Sequence, residues 1–220
     1  MMSGTAADYG SAKMHEVVTM KGIILDFGGV FTKPRLRDAV LHRCERQLGL
    51  SRDALRDLLF VGEHWWLVST GKSSTEDYWQ HITDALDGRV PSALEPFKHN
   101  PFAYESLNGR MVTLVRRLHR RYKIGLLSNA TPYLEVLIEQ HGLTGLFDVI
   151  VNSSRVGLRK PDPEIWRLTL SRLGLEPRDC LFIDDKERNT EVALALGMQA
   201  AVFRSAVDLE RQLRERRVLV

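Results

Sequence analysis

Cysteine is nearly missing from this chain: Cys44 and Cys180 are the only two among 220 residues. They stand far apart, without the close spacing of metal-ligating thiols. Neither a disulfide framework nor a thiolate centre is expected, and a reducing cytoplasm is the compartment that fits. Long apolar runs are missing too. No stretch approaches the roughly 18 to 20 residues that cross a bilayer, and the N-terminus lacks the basic-then-apolar pattern of a secretory signal. An excess of one charge is the third absence. With 31 basic and 28 acidic side chains the net charge is +3, which by itself points to no polyanionic partner. Arg116, Arg117, Arg120 and Arg121 form one basic cluster, and Arg211, Arg214, Arg216 and Arg217 a second. Neither is interleaved with aromatics or set in a binding motif, so both are expected to be solvated helix faces. A soluble cytoplasmic protein with no nucleic-acid and no membrane partner follows.

What is present is enough apolar material, 44% of the residues, to bury an ordinary core. Residues 1–19 mix Gly, Ser, Ala and Thr without periodicity and are expected to be a disordered leader. Residues 36–98 show helical spacing, with Leu36, Val40, Leu41 and Leu48 in one segment and Leu55, Leu58, Leu59 and Val61 in the next. Ser51 is the expected N-cap of the second, and Ser74 or Thr75 caps the helix carrying Tyr78, Trp79, Ile82 and Leu86. No strand signal interrupts this stretch, so residues 35–99 are expected to form a small helical insert. Residues 20–34 and 100–220 supply the rest of the fold. In that part helices and strands alternate, with strands at 123–128, 147–151, 180–184 and 200–203 after an opening strand at 21–25. Such alternation requires crossover connections, which gives an α/β fold with a parallel sheet covered by helices on both faces.

Polar groups stand where the strands end. Lys21-Gly22-Ile23-Ile24-Leu25 runs into Asp26, and Gly28-Gly29 follow; the second strand ends in Ser128-Asn129 and the fourth in Asp184-Asp185. Between the third and fourth lies Gly157-Leu158-Arg159-Lys160-Pro161-Asp162-Pro163, whose prolines stiffen the chain just after a lysine. In a parallel sheet these groups emerge at one edge, the edge at which open α/β sheets bind ligands. Carboxylates there suit a divalent cation, and a hydroxyl, amides and a lysine suit an oxyanion. Taken singly, each has an ordinary reading: a surface Asp before a turn, a Ser or Asp capping a helix, a solvated loop Lys.

Together the segments Ile24-Leu25-Asp26-Phe27-Gly28-Gly29-Val30, Leu126-Leu127-Ser128-Asn129-Ala130, Arg159-Lys160-Pro161-Asp162-Pro163-Glu164 and Phe182-Ile183-Asp184-Asp185-Lys186-Glu187-Arg188-Asn189 resemble the four motifs of the haloacid dehalogenase superfamily, in order. The resemblance covers residues 20–204. It implies a Rossmann-like sheet of strand order 3-2-1-4-5, and the helical insert looks like the small cap of the first subfamily. It further implies a magnesium-dependent hydrolase of a small phosphorylated metabolite, a sugar phosphate among the candidates. Asp26 matches the nucleophile that becomes an aspartyl phosphate. Ser128, Asn129 and Lys160 match the groups that hold the phosphoryl oxygens. Asp26, Asp185 and the backbone carbonyl of Gly28 match the metal ligands, with Asp184 binding or orienting around them.

One departure stands out. Most phosphatases of the superfamily carry a second Asp two residues after the nucleophile, as general acid and base; here that residue is Gly28. Its loss costs about a hundredfold to ten-thousandfold unless another group or the substrate compensates. Glycine also stands there in a branch of sugar-phosphate phosphatases that the chain resembles. The competing readings are a metal-independent dehalogenase using the same Asp, and a catalytically silent binding or regulatory protein. Glu63, His64 and Trp65, with Trp66, are the candidate substrate contacts in the cap, against the plainer reading that the Trp pair is the cap's core and His64 is exposed. Lys72, in Thr70-Gly71-Lys72-Ser73-Ser74, reads as a turn between cap helices.

Overall fold

A computed structural model describes residues 20–219; the expected leader at 1–19 lies outside the described residues. The chain opens with β1 (Gly22–Leu25) and the short β2 (Thr32–Pro34). A helical stretch follows: α1 (Arg37–Leu48), α2 (Arg52–Arg56), α3 (Glu63–Ser69), α4 (Thr75–Ala85) and α5 (Glu95–His99). After β3 (Glu105–Leu107) come α6 (Gly109–Leu118), β4 (Lys123–Ser128), α7 (Tyr133–Gln140), β5 (Val149–Asn152) and α8 (Ser153–Val156). The last part is α9 (Pro163–Leu173), β6 (Cys180–Asp184), α10 (Glu187–Ala195), β7 (Gln199–Val202) and α11 (Ala206–Glu215).

Five strands form one parallel sheet in the order β5-β4-β1-β6-β7, the expected arrangement. β1 is central and wholly buried because successive apolar residues serve opposite faces. Ile23 and Leu25 face a layer holding Met111, Leu114, Leu134, Ile138, Leu209 and Leu213, from α6, α7 and α11. Ile24 faces the other layer, with Ile165, Trp166, Leu170 and Ala193 from α9 and α10. The insert keeps a core of its own in which Leu55, Leu59, Trp65, Tyr78, Trp79, Ile82 and Phe97 pack. Among the described residues no helix is long and apolar enough to cross a membrane.

Local signals set the helix starts. The Ser51 hydroxyl accepts from Ala54 N at 3.1 Å. Of the two candidates ahead of α4, Ser74 is the cap, in a reciprocal box with Asp77. The second helical segment differs from the expectation. α2 gives way to a π-helical turn at Asp57–Val61, which keeps Leu55 and Leu59 inside and turns Val61 out to 49% exposure. A second difference is the antiparallel ribbon of β2 and β3, pairing Thr32 with Leu107 and Pro34 with Glu105. It joins the two crossings between sheet and insert, helped by Arg35 and Leu36 N–H groups donating to the Tyr104 carbonyl.

The insert meets the core again at α8. Ser153 Oγ accepts from Ala130 N at 3.0 Å and donates to the Ser69 carbonyl. Gly71, at φ +68°, runs so close that a Cβ there would overlap the Ser154 carbonyl. Gly71→Ala is therefore expected to lower stability by about 1–3 kcal/mol more than Gly142→Ala. Gly142 has a similar φ of +62° but open space where a Cβ would go, so the difference between the two thermal melts isolates the collision from backbone strain. Equal losses would show that the α8 contact is loose.

Candidate functional site

β1, β4 and β6 end side by side, which brings Asp26, Ser128 and Asp184-Asp185 to one sheet edge. The loop ahead of α9 lays Lys160 across them; its Lys160–Pro161 peptide bond is cis. Lys160 Nζ stands 2.9 Å from Asp26 Oδ1 and 2.6 Å from Asp184 Oδ2, all three side chains being buried. The Asn129 side chain fixes the lysine's backbone from both sides: its Nδ2 donates to the Lys160 carbonyl and its Oδ1 accepts from Lys160 N, each at 2.8 Å. Its side-chain amide is thereby committed to holding the loop.

Asp184 is saturated with donors. Besides Lys160 it accepts from Lys186 N at 2.9 Å and from Asn189 Nδ2 at 3.0 and 2.9 Å. Burial pushes its carboxyl up, but the charge and hydrogen bond of Lys160 and the other donors outweigh burial and hold it below the usual range. Burial likewise pulls the Lys160 ammonium down, and the charges of Asp26 and Asp184 more than restore it. Asp26 is pushed up, by burial first, with Lys160 acting against the rise.

Asp185 is the unsatisfied member. Its Oδ1 is buried without a hydrogen-bond partner among the described residues. Its carboxyl is pushed up to about 6, by burial first and then by the charge of Asp26. Asp26, Asp184 and Asp185 each offer an oxygen within 4.8 Å of the others. Three carboxylates against the buried ammonium of Lys160 and the exposed one of Lys186 still leave the cluster short of positive charge, and an all-oxygen donor set suits a hard divalent cation.

The glycines after Asp26 serve different ends. Gly29, at φ +76°, lies beneath Asp185, whose Oδ2 would be 2.7 Å from a Cβ; only glycine fits. A Cβ at Gly28 would meet the Phe102 ring at 3.4 Å, an ordinary contact. Phe102, held edge-on to Phe27 at 5.3 Å, thus stands beside Gly28 with room left for a Cβ.

Between sheet edge and insert lies a crevice of about 1570 Å³ that Asp26, Gly28, Ser128, Asn129, Lys160 and Asp185 line from the core. Glu63, Trp65 and Trp66 line it from the insert. Trp66 is 39% exposed, with Lys72 Nζ 4.0 Å above its ring. Trp65 is mostly buried, edge-on to Phe60 and Tyr78. His64 is not brought to the crevice; its ring stacks on His81 at 3.3 Å. Asn189, Phe102 and Gly29 were assigned no role from sequence. Asn189 carries a readable signal, since it sits five residues after Asp184 in the first turn of α10; Phe102 carries none. The basic clusters are exposed, and Arg211 and Arg214 pair with Asp208, Glu215 and Glu210 on their own helix.

Residues 20–197 match a known hydrolase family, the haloacid dehalogenase-like hydrolases. The chain is 30% identical over 110 residues to flavin mononucleotide hydrolase 1 of Arabidopsis thaliana, a stretch that is 50% of this chain and 45% of that protein. It thus spans less than half the length of that relative. It is 25% identical over 202 residues to D-ribitol-5-phosphate phosphatase of Bacteroides thetaiotaomicron, covering 88% of this chain and 97% of that one. A crystal structure of a haloacid dehalogenase family enzyme from the same bacterium, in complex with magnesium and inorganic phosphate, superposes with a TM-score of 0.69 at 18% identity. That superposition covers 84% of this chain and 94% of the other, and it is a likeness of fold.

Proposed function

The chain belongs to the haloacid dehalogenase-like hydrolases, and from that premise we propose that it is a magnesium-dependent phosphatase that hydrolyses a small phosphorylated metabolite through a phosphoryl group carried on Asp26. The observation that carries this reading is the strand-end cluster, where Lys160 bridges Asp26 and Asp184 while the buried Asp185 Oδ1 has no partner. A paired nucleophile beside an unpaired carboxylate fits a site completed by a cation. Asp26, Asp185 and the Gly28 carbonyl are the groups that would hold magnesium, with Asp184 orienting them. Bound there, the ion would supply positive charge against which a phosphate and a carboxylate can approach.

The residues divide the work as follows. Lys160 keeps Asp26 Oδ1 at 2.9 Å, which leaves Oδ2 to attack phosphorus as the ester oxygen departs. The Ser128 hydroxyl and the Asn129 N–H hold the phosphoryl oxygens during transfer, since phosphoryl transfer depends on positioning and charge stabilisation. The acyl phosphate on Asp26 is then cleaved by water, releasing inorganic phosphate and restoring the carboxylate. Gly28 offers no proton to the leaving oxygen. This favours esters whose alcohol leaves easily, such as sugar 1-phosphates.

The test is phosphate release from a panel of metabolite esters with and without magnesium. Metal-dependent turnover that chelation abolishes is expected. Halide release from a haloacid without metal would favour the dehalogenase reading, and no turnover of either kind would favour a silent protein. The Asp185 carboxyl adds a pH signature. With its proton leaving near pH 6 in the metal-free protein, apparent magnesium affinity is expected to fall by up to about tenfold per pH unit below that point. At subsaturating metal, activity lost on acidification should return when magnesium is raised; loss that excess metal does not reverse would place the titration elsewhere.

A further inference from the structure

Two guanidinium groups on the core side of the crevice are not used by the chemistry above. Arg159 is half-buried and immediately precedes Lys160; Arg188 is exposed in the first turn of α10, three residues after Asp185. Both line the same crevice as Asp26. Neither forms an ion pair among the described residues, and three acids close to them in the chain are engaged elsewhere, while Asp185 is reserved for the cation. Glu187 pairs with Arg204 at 2.6 Å, Asp162 caps α9 through Glu164 N at 3.0 Å, and Asp184 is taken by Lys160 and Asn189. Burial, and then the like charge of Arg188, hold the Arg159 guanidinium below the usual arginine range. Two cations that repel each other beside a phosphate site, one of them partly desolvated, are settled best by an anion between them.

We propose that Arg159 and Arg188 bind a second anionic group of the substrate, so that the preferred substrates are small phosphate monoesters that also carry a carboxylate or a further phosphate. This rests on the phosphatase reading and names its substrate class. The substrate is small because Arg159, Arg188 and Asp26 all line one crevice, within which a single molecule must reach the nucleophile and both arginines. Orientation follows as well: with both ends of the substrate held by the core, the neutral middle faces Trp66 and Glu63 of the insert.

The matched probes are glycerol phosphate, phosphoglycerate and a sugar bisphosphate, each with magnesium, on the wild type and on the Arg159→Gln/Arg188→Gln double variant. The wild type is expected to prefer an anion-bearing ester over glycerol phosphate by tenfold or more in kcat/KM, and the double variant to lose that preference by about ten- to hundredfold, mainly through KM. Whichever of phosphoglycerate and the bisphosphate loses more identifies the anion as carboxylate or phosphate. An equal change on all three esters, or none, overturns the proposal. Calorimetric binding of the same probes to Asp26→Asn protein, with and without the two arginine changes, separates this failure from failure of the phosphatase reading. If no ester turns over but the arginine changes weaken binding of the anion-bearing probes alone, the second-anion site stands without the activity. If binding is unaffected, the site falls.

Discussion

Asp26→Asn is expected to lower kcat for phosphate-ester hydrolysis by about four orders of magnitude or more, with the protein still folded. An amide of the same shape cannot form the acyl phosphate, so the two-step route is closed and only binding and charge stabilisation persist. The fold should tolerate the change because Lys160 keeps its 2.6 Å contact with Asp184, and the new amide oxygen still accepts from Lys160. Burial disfavours the Asp26 charge, so its removal should leave the melting temperature unchanged or slightly raised. Phosphate release and a thermal melt on the same preparation check both halves. More than about one per cent residual turnover would remove Asp26 from the role of nucleophile.

Lys160→Met should show the opposite balance, losing stability together with activity. Lys160, Asp26 and Asp184 are all buried, and removing the ammonium leaves two carboxylates facing each other without a cation. Breaking a buried pair in this way costs about 3–5 kcal/mol, or a fall of roughly 6–20 °C in melting temperature for a domain of this size. The pH dependence has a fixed sign. The Lys160 pKa is raised on folding, so its contribution is present below the unfolded lysine value and is lost as pH rises through the higher folded one. Adding Asp184→Asn to Lys160→Met should restore part of the stability and none of the activity. A melting temperature unmoved by Lys160→Met would mean that the two carboxylates do not depend on the lysine.

The sheet and its edge were legible because their signals are local. β1, β4 and β6 are apolar runs bounded by turn residues, and the groups that follow each run must emerge together in a parallel sheet. Lys160 was legible as a lysine pinned before two prolines. What sequence reasoning missed is tertiary. β2 and β3 have three residues each and pair across some seventy positions, too short for a period-two pattern to register. The π turn at Asp57–Val61 changes which side of a helix faces inward without changing its composition. Phe102 reaches Gly28 only because the ribbon returns the chain to the sheet edge. His64 was a candidate by its neighbours, Glu63 and Trp65, yet the helix turns it toward His81 and leaves Glu63 and Trp66 on the crevice.

Among the described residues the insert is joined to the core through the β2–β3 ribbon and again through the contact of Ser69 and Gly71 with α8. Pro34 and Glu105 of the ribbon and Thr70 beside the α8 contact all border the crevice, so both joints stand at its wall. Asp26, Lys160, Asp184 and Asp185 are carried by the core alone. Substitutions on the insert can therefore change the lining of the crevice without touching the residues that set its charge arrangement.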